Sequence, residues 1–370
     1  MVSLKMSLRD SPHRDIYRKL KNENKSCRMH GKPTIVILRA LALGDFLTGL
    51  PALRAIKRAF PEHHRILTCP AWLKPLVEYT DAADEIIAGA YFENGKFEIP
   101  TNIEDRIKLE QAQLNGLKIK QRPDIAVNLR GQRTSLHKAL LALKPKKYIG
   151  YHNPEIIETK DSPIWEQDEN EVKKWCRLLN AFQIPADVND YKIDKPTVSF
   201  FNCVKKYVII HPGAGSSARL WPVERWAEVA TWEIMNDNNI IITGSKNERE
   251  IALKVAEYAK IPTKNVVAGE TDIMALLFLC GQSQYIISTD TGIAHIAYAL
   301  RIPSVTIFGP MPPSRWGPPS DNNNHLTLWA GVKGEPYSST PDRGLLQITV
   351  KDVINKIINI NNILKNQEWK

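Results

Sequence analysis

The feature that most constrains the fold is an alternation of short apolar, β-branched runs with longer segments of helical periodicity. The first run spans residues 34–38, and it is followed by apolar residues at Leu47, Leu50, Leu53 and Ile56. Short apolar runs are typical of buried strands, and spacings of three and four are typical of one helix face. Because strands that alternate with helices usually form parallel sheets with crossover helices, the sequence predicts an α/β fold.

The alternation occurs in both halves of the chain, which predicts two domains. Strands are expected in the first half at 34–38, 65–68, 124–128 and 148–150, and in the second half at 207–210, 239–243, 266–267, 285–287 and 304–308. The 370-residue length also suits two domains of ordinary size. We therefore expect doubly wound domains over residues 33–190 and 200–345. A final helix over 350–366 could pack back onto the N-terminal domain.

Bulk composition is that of a soluble globular protein, with 43% apolar and 24% charged residues. The longest apolar run, residues 273–280, is much shorter than the roughly 20 residues that a membrane-spanning helix needs. The N-terminus has no signal-peptide pattern, so a cytoplasmic location is expected. The five cysteines are scattered and form no C-x-x-C pair, which argues against a disulfide framework or a zinc site.

The net charge of +10 is concentrated at the N-terminus, where residues 1–32 contribute +6. A basic extension of this kind can bind anionic lipid head groups, and it can equally be a solvated tail. Nucleic-acid binding is the least favoured interpretation, because no recognised nucleic-acid module follows it. Residues 85–120 hold scattered Gly and Pro, so they could form a lid, an acceptor-binding element or variable surface.

Small and polar residues follow several strands of the second half, at 211–217, 243–245, 288–292 and 308–310. In an open parallel sheet, ligands bind beyond the carboxyl ends of the strands, and free N–H groups at a helix N-terminus can hold a phosphate. Arg219 lies just beyond the first of these loops and could neutralise a diphosphate. A single loop of this kind more often has a structural role, but several loops that all follow the carboxyl ends of strands favour a ligand site.

The first half has one comparable loop, which ends at Gly44 and Asp45 at the start of a helix. An aspartate there can cap the helix, a contribution of about 1 kcal/mol. It can also be a general base that faces the cleft between the domains. The position alone leaves both roles open.

Taken together, these motifs resemble glycosyltransferase family 9, the lipopolysaccharide heptosyltransferases. The resemblance covers roughly residues 33–320, and the matching stretches are 37–45 with 50–53, 211–214 with 221–222, 243–244 with Glu248, 290–295 and 308–310. It implies a GT-B architecture, in which two Rossmann-like domains face each other across a cleft. It also implies an inverting transfer of heptose from ADP-heptose to a lipopolysaccharide inner-core acceptor, with no metal and no cofactor.

The resemblance assigns site residues one by one. Asp45 falls on the proposed catalytic base. The donor-binding positions are Gly213, Ser216, Ser217, Arg219, Gly244, Glu248, Asp290, Thr291, Gly292 and His295, with Glu248 at the nucleoside and 290–292 at the diphosphate. His295 could bond a phosphate or only brace the loop. Arg219 stands where some members have lysine, which keeps the charge but replaces a point donor with a planar fork.

Acceptor binding is expected on the N-terminal side of the cleft, because core saccharides carry acidic sugars and phosphates. The candidates are the basic residues Arg54, Lys57, Arg58, Arg130, Arg133, His137 and Lys138. A solvated helix face is the alternative for each set. The chain has no D-x-D pattern, which fits a metal-free mechanism in which helix N-termini and Arg219 stabilise the leaving diphosphate.

The expected partners are an ADP-sugar donor and a membrane-bound core saccharide-lipid, with peripheral contact to the cytoplasmic face of the inner membrane and none to nucleic acid. Two alternatives remain. The same fold could use another nucleotide sugar, or a glycan or protein acceptor. The chain could also be an inactive sugar-nucleotide binding protein, although the presence of Asp45 argues against this.

Overall fold

The structure is a computed structural model that describes residues 32–39, 42–87, 122–197, 206–319 and 323–368. The basic extension 1–31 and most of the segment 85–120 lie outside these residues. The strands are β1 (Thr34–Leu38), β2 (His64–Thr68), β3 (Glu85–Ile87), β4 (Ile125–Asn128), β5 (Lys147–Ile149), β6 (Tyr207–His211), β7 (Asn239–Ile242), β8 (Ile286–Thr289), β9 (Ser304–Ile307) and β10 (His325–Leu328).

The strands form two parallel sheets, one in each half of the chain. The first has the order β3-β2-β1-β4-β5 and the second the order β10-β9-β8-β6-β7. A parallel bridge from Ile242 to Val266 extends the second sheet beyond β7, so that the expected strand at 266–267 is reduced to a single bridge. With this bridge the second sheet has the strand order of a dinucleotide-binding fold, and the first sheet has five strands of the same order.

Helices connect the strands as the periodicity predicts. They are α1 (Leu43–Ala59), α2 (Lys74–Tyr79), α3 (Thr134–Leu141), α4 (Glu171–Ala181), α5 (Val223–Met235), α6 (Arg249–Tyr258), α7 (Ile273–Gln282), α8 (Gly292–Leu300), α9 (Pro313–Trp316), α10 (Arg343–Gln347) and α11 (Val350–Glu368). Polar caps set several helix starts. The Asn170 side chain accepts hydrogen bonds from the first turn of α4, and Asp272 accepts one from Ala275 at the start of α7.

The two halves share a hydrophobic core where α1 packs against α8. Apolar residues from both helices, among them Phe46 and Leu47 of α1 and Ile293 and Ile296 of α8, are buried in the same cluster. Because the burial of apolar surface is favourable, this contact holds the two halves together. The carboxyl ends of the two sheets are thereby brought face to face.

The C-terminal helix corrects one expectation. Helix α11 packs against α5, β9 and β10 of the second half. Its buried residues Val353, Ile357 and Ile360 belong to the core of the second sheet. The stripe of isoleucines that suggested packing back onto the N-terminal domain is therefore satisfied within the C-terminal half.

Candidate active site

The candidate site lies where the N-terminus of α1 meets the N-terminus of α8. A Cβ atom placed on Gly44 would lie 2.9 Å from Cδ2 of His295, and one on Gly292 would lie 3.0 Å from Cβ of Leu43. Both distances are shorter than ordinary carbon contacts, so only glycine permits this approach. Because each helix N-terminus has free N–H groups, two electropositive helix ends border the same cleft.

Asp45 is the third residue of α1, and its side chain is partly buried. Its Oδ2 accepts a hydrogen bond of 3.0 Å from the backbone N–H of Ala42, so the capping role is present. Burial raises the pKa of this carboxyl, Arg39 and Arg130 oppose the rise, and Glu171 adds to it. The capping bond leaves Oδ1 free for another partner within the described residues.

Sequence reasoning missed Arg39, which lies immediately after β1 and is 3% exposed. Its Nη1 donates to the carbonyl of Leu129 at 3.0 Å, and its Nη2 donates to Oγ1 of Thr48 at 2.6 Å. The guanidinium lies over the ring of Trp175, 4.8 Å from its centroid. Arg39 therefore joins β1, α1 and α4 behind Asp45. Arg39 is part of the matched stretch 37–45, but its role could not be predicted because its partners Leu129 and Trp175 are distant in the sequence.

A second missed group consists of Glu171 and Lys174 on α4 and Arg315 on α9. Oε1 of Glu171 accepts from Nζ of Lys174 at 2.8 Å and from Nε of Arg315 at 3.2 Å. Glu171 is 4% exposed and Lys174 is completely buried. These charges join α4, at the end of the first half of the chain, to α9 of the C-terminal half. A charged pair at helical spacing normally predicts a solvated face, so the burial of Glu171 and Lys174 could not be predicted from their spacing.

The loop at the end of β6, residues 211–217, faces the start of α6. Since the resemblance predicts that it binds the donor, we call it the first donor loop. A Cβ atom on Gly213 would collide with the carboxyl of Glu248. Glu248 Oε2 accepts a 2.6 Å hydrogen bond from the N–H of Ser245, beside Gly244. His211 bonds Oγ1 of Thr243 through Nδ1 at 3.0 Å, and burial lowers the pKa of its ring. The carboxyl of Glu248 therefore lies against Gly213, and its contact with a nucleoside stays a prediction.

Arg219 connects the first donor loop to the loop after β8. Its Nη1 donates to the backbone carbonyl of Asp290 at 2.8 Å, whereas its buried Nε has no partner among the described residues. Ser216 caps the short 3-10 turn Ser217–Arg219 by accepting from the N–H of Ala218 at 3.4 Å. The guanidinium is therefore fixed between two loops at the carboxyl edge of the sheet.

The loop after β8 contains Asp290, Thr291 and Gly292 and leads into α8. Asp290 is 6% exposed, and burial raises its pKa to about 6 although Arg219 opposes the rise. His295, one turn further, has its pKa lowered by burial to about 4, so its ring is neutral at pH 7. The ring meets Tyr298 and Trp316 edge-on, with centroids 5.6 and 5.9 Å away. These contacts are those of a bracing residue.

The structure places three of the acceptor candidates away from the cleft. Arg54 Nη1 donates to the carbonyls of Asp190 and Lys192 at 2.7 and 2.8 Å, Arg58 pairs with Asp190, and Lys57 pairs with Asp81. Nine to thirteen residues along a helix correspond to about 14–20 Å from Asp45. These side chains hold the segment near Asp190 and the end of α2 against α1, so their contacts favour a structural role, and acceptor binding by them stays a prediction.

The other four acceptor candidates differ in how accessible their side chains are. His137 is completely buried and bonds the hydroxyl of Tyr148 through Nδ1 at 2.8 Å, which excludes it from contact with an acceptor. Arg133 and Lys138 are exposed at α3. Arg130 is the one whose charge acts on Asp45, and it follows the carboxyl end of β4. Arg130 therefore remains the best placed of the set.

In the part of the chain that the structure describes, the His, Cys, Asp and Glu side chains form no group of three or more that could hold a metal ion. None of the helices in this part has the length and apolar character needed to cross a membrane.

Two Rossmann-like halves whose strand ends meet at a cleft define the GT-B architecture. The ADP-heptose lps heptosyltransferase II of E. coli has this fold, with a TM-score of 0.65 and 20% identity over 91% of this chain and all of that one. The iron-containing dodecameric glycosyltransferase TibC of enterotoxigenic E. coli is also similar, with a TM-score of 0.56 and 14% identity over 90% of this chain and 77% of that one.

The sequence profile of glycosyltransferase family 9 (heptosyltransferase) matches residues 118–336, more than half of the chain. The chain belongs to this family. It is 26% identical over 166 residues to the lipopolysaccharide core heptosyltransferase OpsX of Haemophilus influenzae. That alignment covers 43% of this chain and 47% of the relative, so the matched part spans about half of the relative's length.

Proposed function

We propose that the chain is an inverting, metal-independent heptosyltransferase that transfers heptose from ADP-heptose to an inner-core saccharide of lipopolysaccharide. The observation that supports this most is the contact between Gly44 and His295, which brings Asp45 next to the loop that begins α8. A candidate base from one half and a candidate anion site from the other thereby face the same cleft. The names of the relatives supply the sugar and the class of acceptor.

In the proposed reaction, Asp45 accepts the proton of an acceptor hydroxyl as that oxygen attacks the anomeric carbon. The new glycosidic bond forms while the bond from the anomeric carbon to the diphosphate oxygen breaks, and ADP leaves with the electron pair. Attack opposite the leaving group inverts the anomeric centre. The N–H groups at the start of α8 and the guanidinium of Arg219 stabilise the charge on the departing diphosphate.

The remaining assignments follow from this proposal. Residues 33–190 form the acceptor domain and residues 200–345 the nucleotide-sugar domain, with Glu248 at the nucleoside and Asp290, Thr291 and Gly292 at the diphosphate and sugar. The acceptor lipid is anchored in a membrane, so the enzyme works at the cytoplasmic face of the inner membrane in peripheral contact with it.

Release of nucleotide tests the donor, the acceptor and the metal together. The purified protein is incubated with ADP-heptose, or with UDP- and GDP-sugars, with and without deep-rough core lipid and in excess chelator. We expect release only when ADP-heptose and core lipid are both present. Release with another donor would instead indicate the alternative transferase, and loss of activity on chelation would contradict the metal-free mechanism. Binding without turnover would indicate an inactive sugar-nucleotide binding protein.

Asp45→Asn tests the base. Asparagine keeps an oxygen that can accept the N–H of Ala42, so the helix cap and the fold are retained. Loss of a general base typically lowers turnover by 10²–10⁴-fold, and we expect ADP binding to be nearly unchanged. Asp81→Asn, at an exposed carboxylate of the same half, is the matched control. Full turnover in Asp45→Asn would remove this residue from the mechanism.

A further inference from the structure

The buried charges at the junction of the two halves form one connected cluster. Glu171 accepts hydrogen bonds from Lys174 and Arg315, and the ammonium of Lys174 lies over the ring of Trp165, 4.3 Å from its centroid. Asn170 adds a 3.3 Å bond from its side-chain amide to the carbonyl of Arg315. Burying a carboxylate at this depth is unfavourable unless cations are close. Two cations, one of them from the other half, meet that requirement here.

The cluster continues to the candidate base through Arg39. The ring of Trp175, on the same helix as Glu171, lies beneath the Arg39 guanidinium. The guanidinium donates to Oγ1 of Thr48, and that hydroxyl donates to the carbonyl of Gly44 at 2.8 Å. Thr48 lies three residues after Asp45, almost one turn along α1. The beginnings of α1 and α4 are therefore held together by charged and polar groups that contact one another.

We infer that Glu171 is a positioning residue for the transfer reaction: its buried carboxylate holds the start of α4 against the Arg39 and Thr48 contacts behind Asp45, and Arg315 makes this arrangement depend on contact between the two halves. The inference rests on the proposed function, since it treats Asp45 as the proton acceptor. Glu171 itself lies behind Arg39 and Trp175 and acts on Asp45 through charge.

The charges around Asp45 explain why the carboxylate of Glu171 affects its basicity. Arg39 and Arg130 both favour the ionised form of Asp45, which would weaken it as a base, whereas Glu171 acts in the opposite direction. His295, which faces the same junction from α8, is neutral at pH 7. Burial opposes the ionisation of Glu171, but Lys174, Arg39 and Arg315 outweigh it and lower the pKa of that carboxyl. The surroundings therefore favour the charged form of Glu171, whereas burial favours the protonated form of Asp45.

The test is the pH dependence of kcat/KM in the full chain. Glu171→Gln removes the charge but keeps an acceptor for Lys174 and Arg315. We expect the acidic limb of the profile to move to lower pH and the plateau rate to fall several-fold, because a base of lower pKa accepts a proton less readily. If the single variant fails to fold with Lys174 uncompensated, Glu171→Gln with Lys174→Met removes one charge of each sign and leaves Arg315 as the remaining cation of the cluster. It should still move the acidic limb to lower pH, because Glu171 is the group of this pair whose charge acts on Asp45.

Asp168→Asn is the matched control. Asp168 pairs with Lys333 at 2.8 Å between the same two halves, but both side chains are more than half exposed. Breaking this pair should leave the acidic limb where it is. An unchanged limb with a uniform loss of rate in Glu171→Gln, or an equal shift in Asp168→Asn, would mean that Glu171 only holds the structure together and would overturn the inference.

A second readout separates this inference from the proposed function. The Asp45 carboxyl can be titrated by NMR in protein labelled with ¹³C at aspartate carboxyls, with Asp45→Asn providing the assignment. Glu171→Gln should lower the midpoint of that titration whether or not the sugar and acceptor are correct. Turnover that survives in Asp45→Asn would refute the proposed function alone, whereas an unmoved midpoint would refute the role of Glu171 alone.

Discussion

Gly44 and His295 touch across the junction of the two halves: a Cβ atom on Gly44 would come within 2.9 Å of Cδ2 and 3.2 Å of Nε2 of the histidine ring. Because Gly44 has no side chain, the N-terminus of α1 comes directly against the His295 ring of α8. The distance between the candidate base and the candidate anion site is therefore set by backbone packing and by one buried ring.

Gly44→Ala should displace this ring or push the two halves apart by a few tenths of an ångström. Since misplacement of reacting groups on this scale is costly, we expect turnover to fall on the order of tenfold, with ADP affinity nearly unchanged. The measurement is kcat beside the Kd for ADP. Gly44→Ala combined with His295→Ala should be less impaired than the product of the two single effects, because the contact is lost once. Independent effects would contradict this account.

Asp290 should make donor affinity depend on pH. Burial raises its pKa to about 6, and a bound diphosphate would favour the protonated form further. We therefore expect the Kd for the nucleotide sugar to be lowest below pH 6 and to rise as the pH increases through 6 to 7.5. The ring of His295, with a pKa of about 4, stays neutral over this range.

Isothermal titration of the nucleotide sugar between pH 5 and 8 measures the effect. Asp290→Asn should give a flat profile, and Asp45→Asn, on the other half, should keep the wild-type slope. A slope that persists in Asp290→Asn would assign the titration to another group.

The sequence was sufficient for most of the sheet framework because that framework depends on local patterns. Residues 34–38 were predicted as a strand and form β1. Strands β3 and β10 were missed, since Glu85–Ile87 has only two apolar residues and His325–Leu328 alternates polar and apolar residues near the edge of its sheet. Both become strands only because a neighbouring strand supplies backbone partners.

The site was predicted less completely because burial is a property of distant partners. Glycine-rich loops and Asp45 are visible in the sequence because their neighbours along the chain define them. Arg39 and Glu171 are not visible in this way, because each depends on a distant partner. Arg39 packs on Trp175 and Glu171 bonds Arg315, and each partner is more than 130 residues away along the chain. The same limit explains His137, whose basic neighbours suggest solvent although its ring is buried against Tyr148.

Glu233 should make the stability of the C-terminal half fall as the pH rises. It is completely buried on α5, where it accepts hydrogen bonds from the hydroxyl of Tyr285 and the amide of Asn238. Burial raises its pKa from 4.5 to about 7, although both bonds oppose the rise. Because the folded state then holds a proton that the unfolded state releases, the free energy of unfolding decreases between pH 4.5 and 7, by roughly 3 kcal/mol at most.

Glu233→Gln should remove this dependence. The variant should melt at a higher temperature than wild type at pH 8, and the difference should vanish or reverse near pH 4. Melting temperatures measured across this range test the prediction, with Glu228→Gln on the same helix as an exposed control. Parallel melting curves for wild type and Glu233→Gln would show that the carboxyl is ionised at no cost in the folded protein.

Arg130 and Arg54 should separate acceptor binding from stability. Arg130 follows β4 beside the cleft, and its charge acts on Asp45, so Arg130→Ala should raise the KM for an acidic acceptor by about tenfold while ADP affinity stays unchanged. Arg54 bonds the carbonyls of Asp190 and Lys192, so Arg54→Ala should instead lower the free energy of unfolding by about 1–3 kcal/mol and leave the KM unchanged.

Acceptor KM and urea unfolding, measured on both variants, distinguish the two roles. The effect of Arg130→Ala should weaken at high salt, because its attraction for an anionic acceptor is screened. The instability of Arg54→Ala should largely persist, because Arg54 bonds two backbone carbonyls as well as the Asp190 carboxylate and is partly buried. A raised KM in Arg54→Ala at unchanged stability would contradict this assignment. It would show that the acceptor binds at the C-terminal part of α1 and not beside β4.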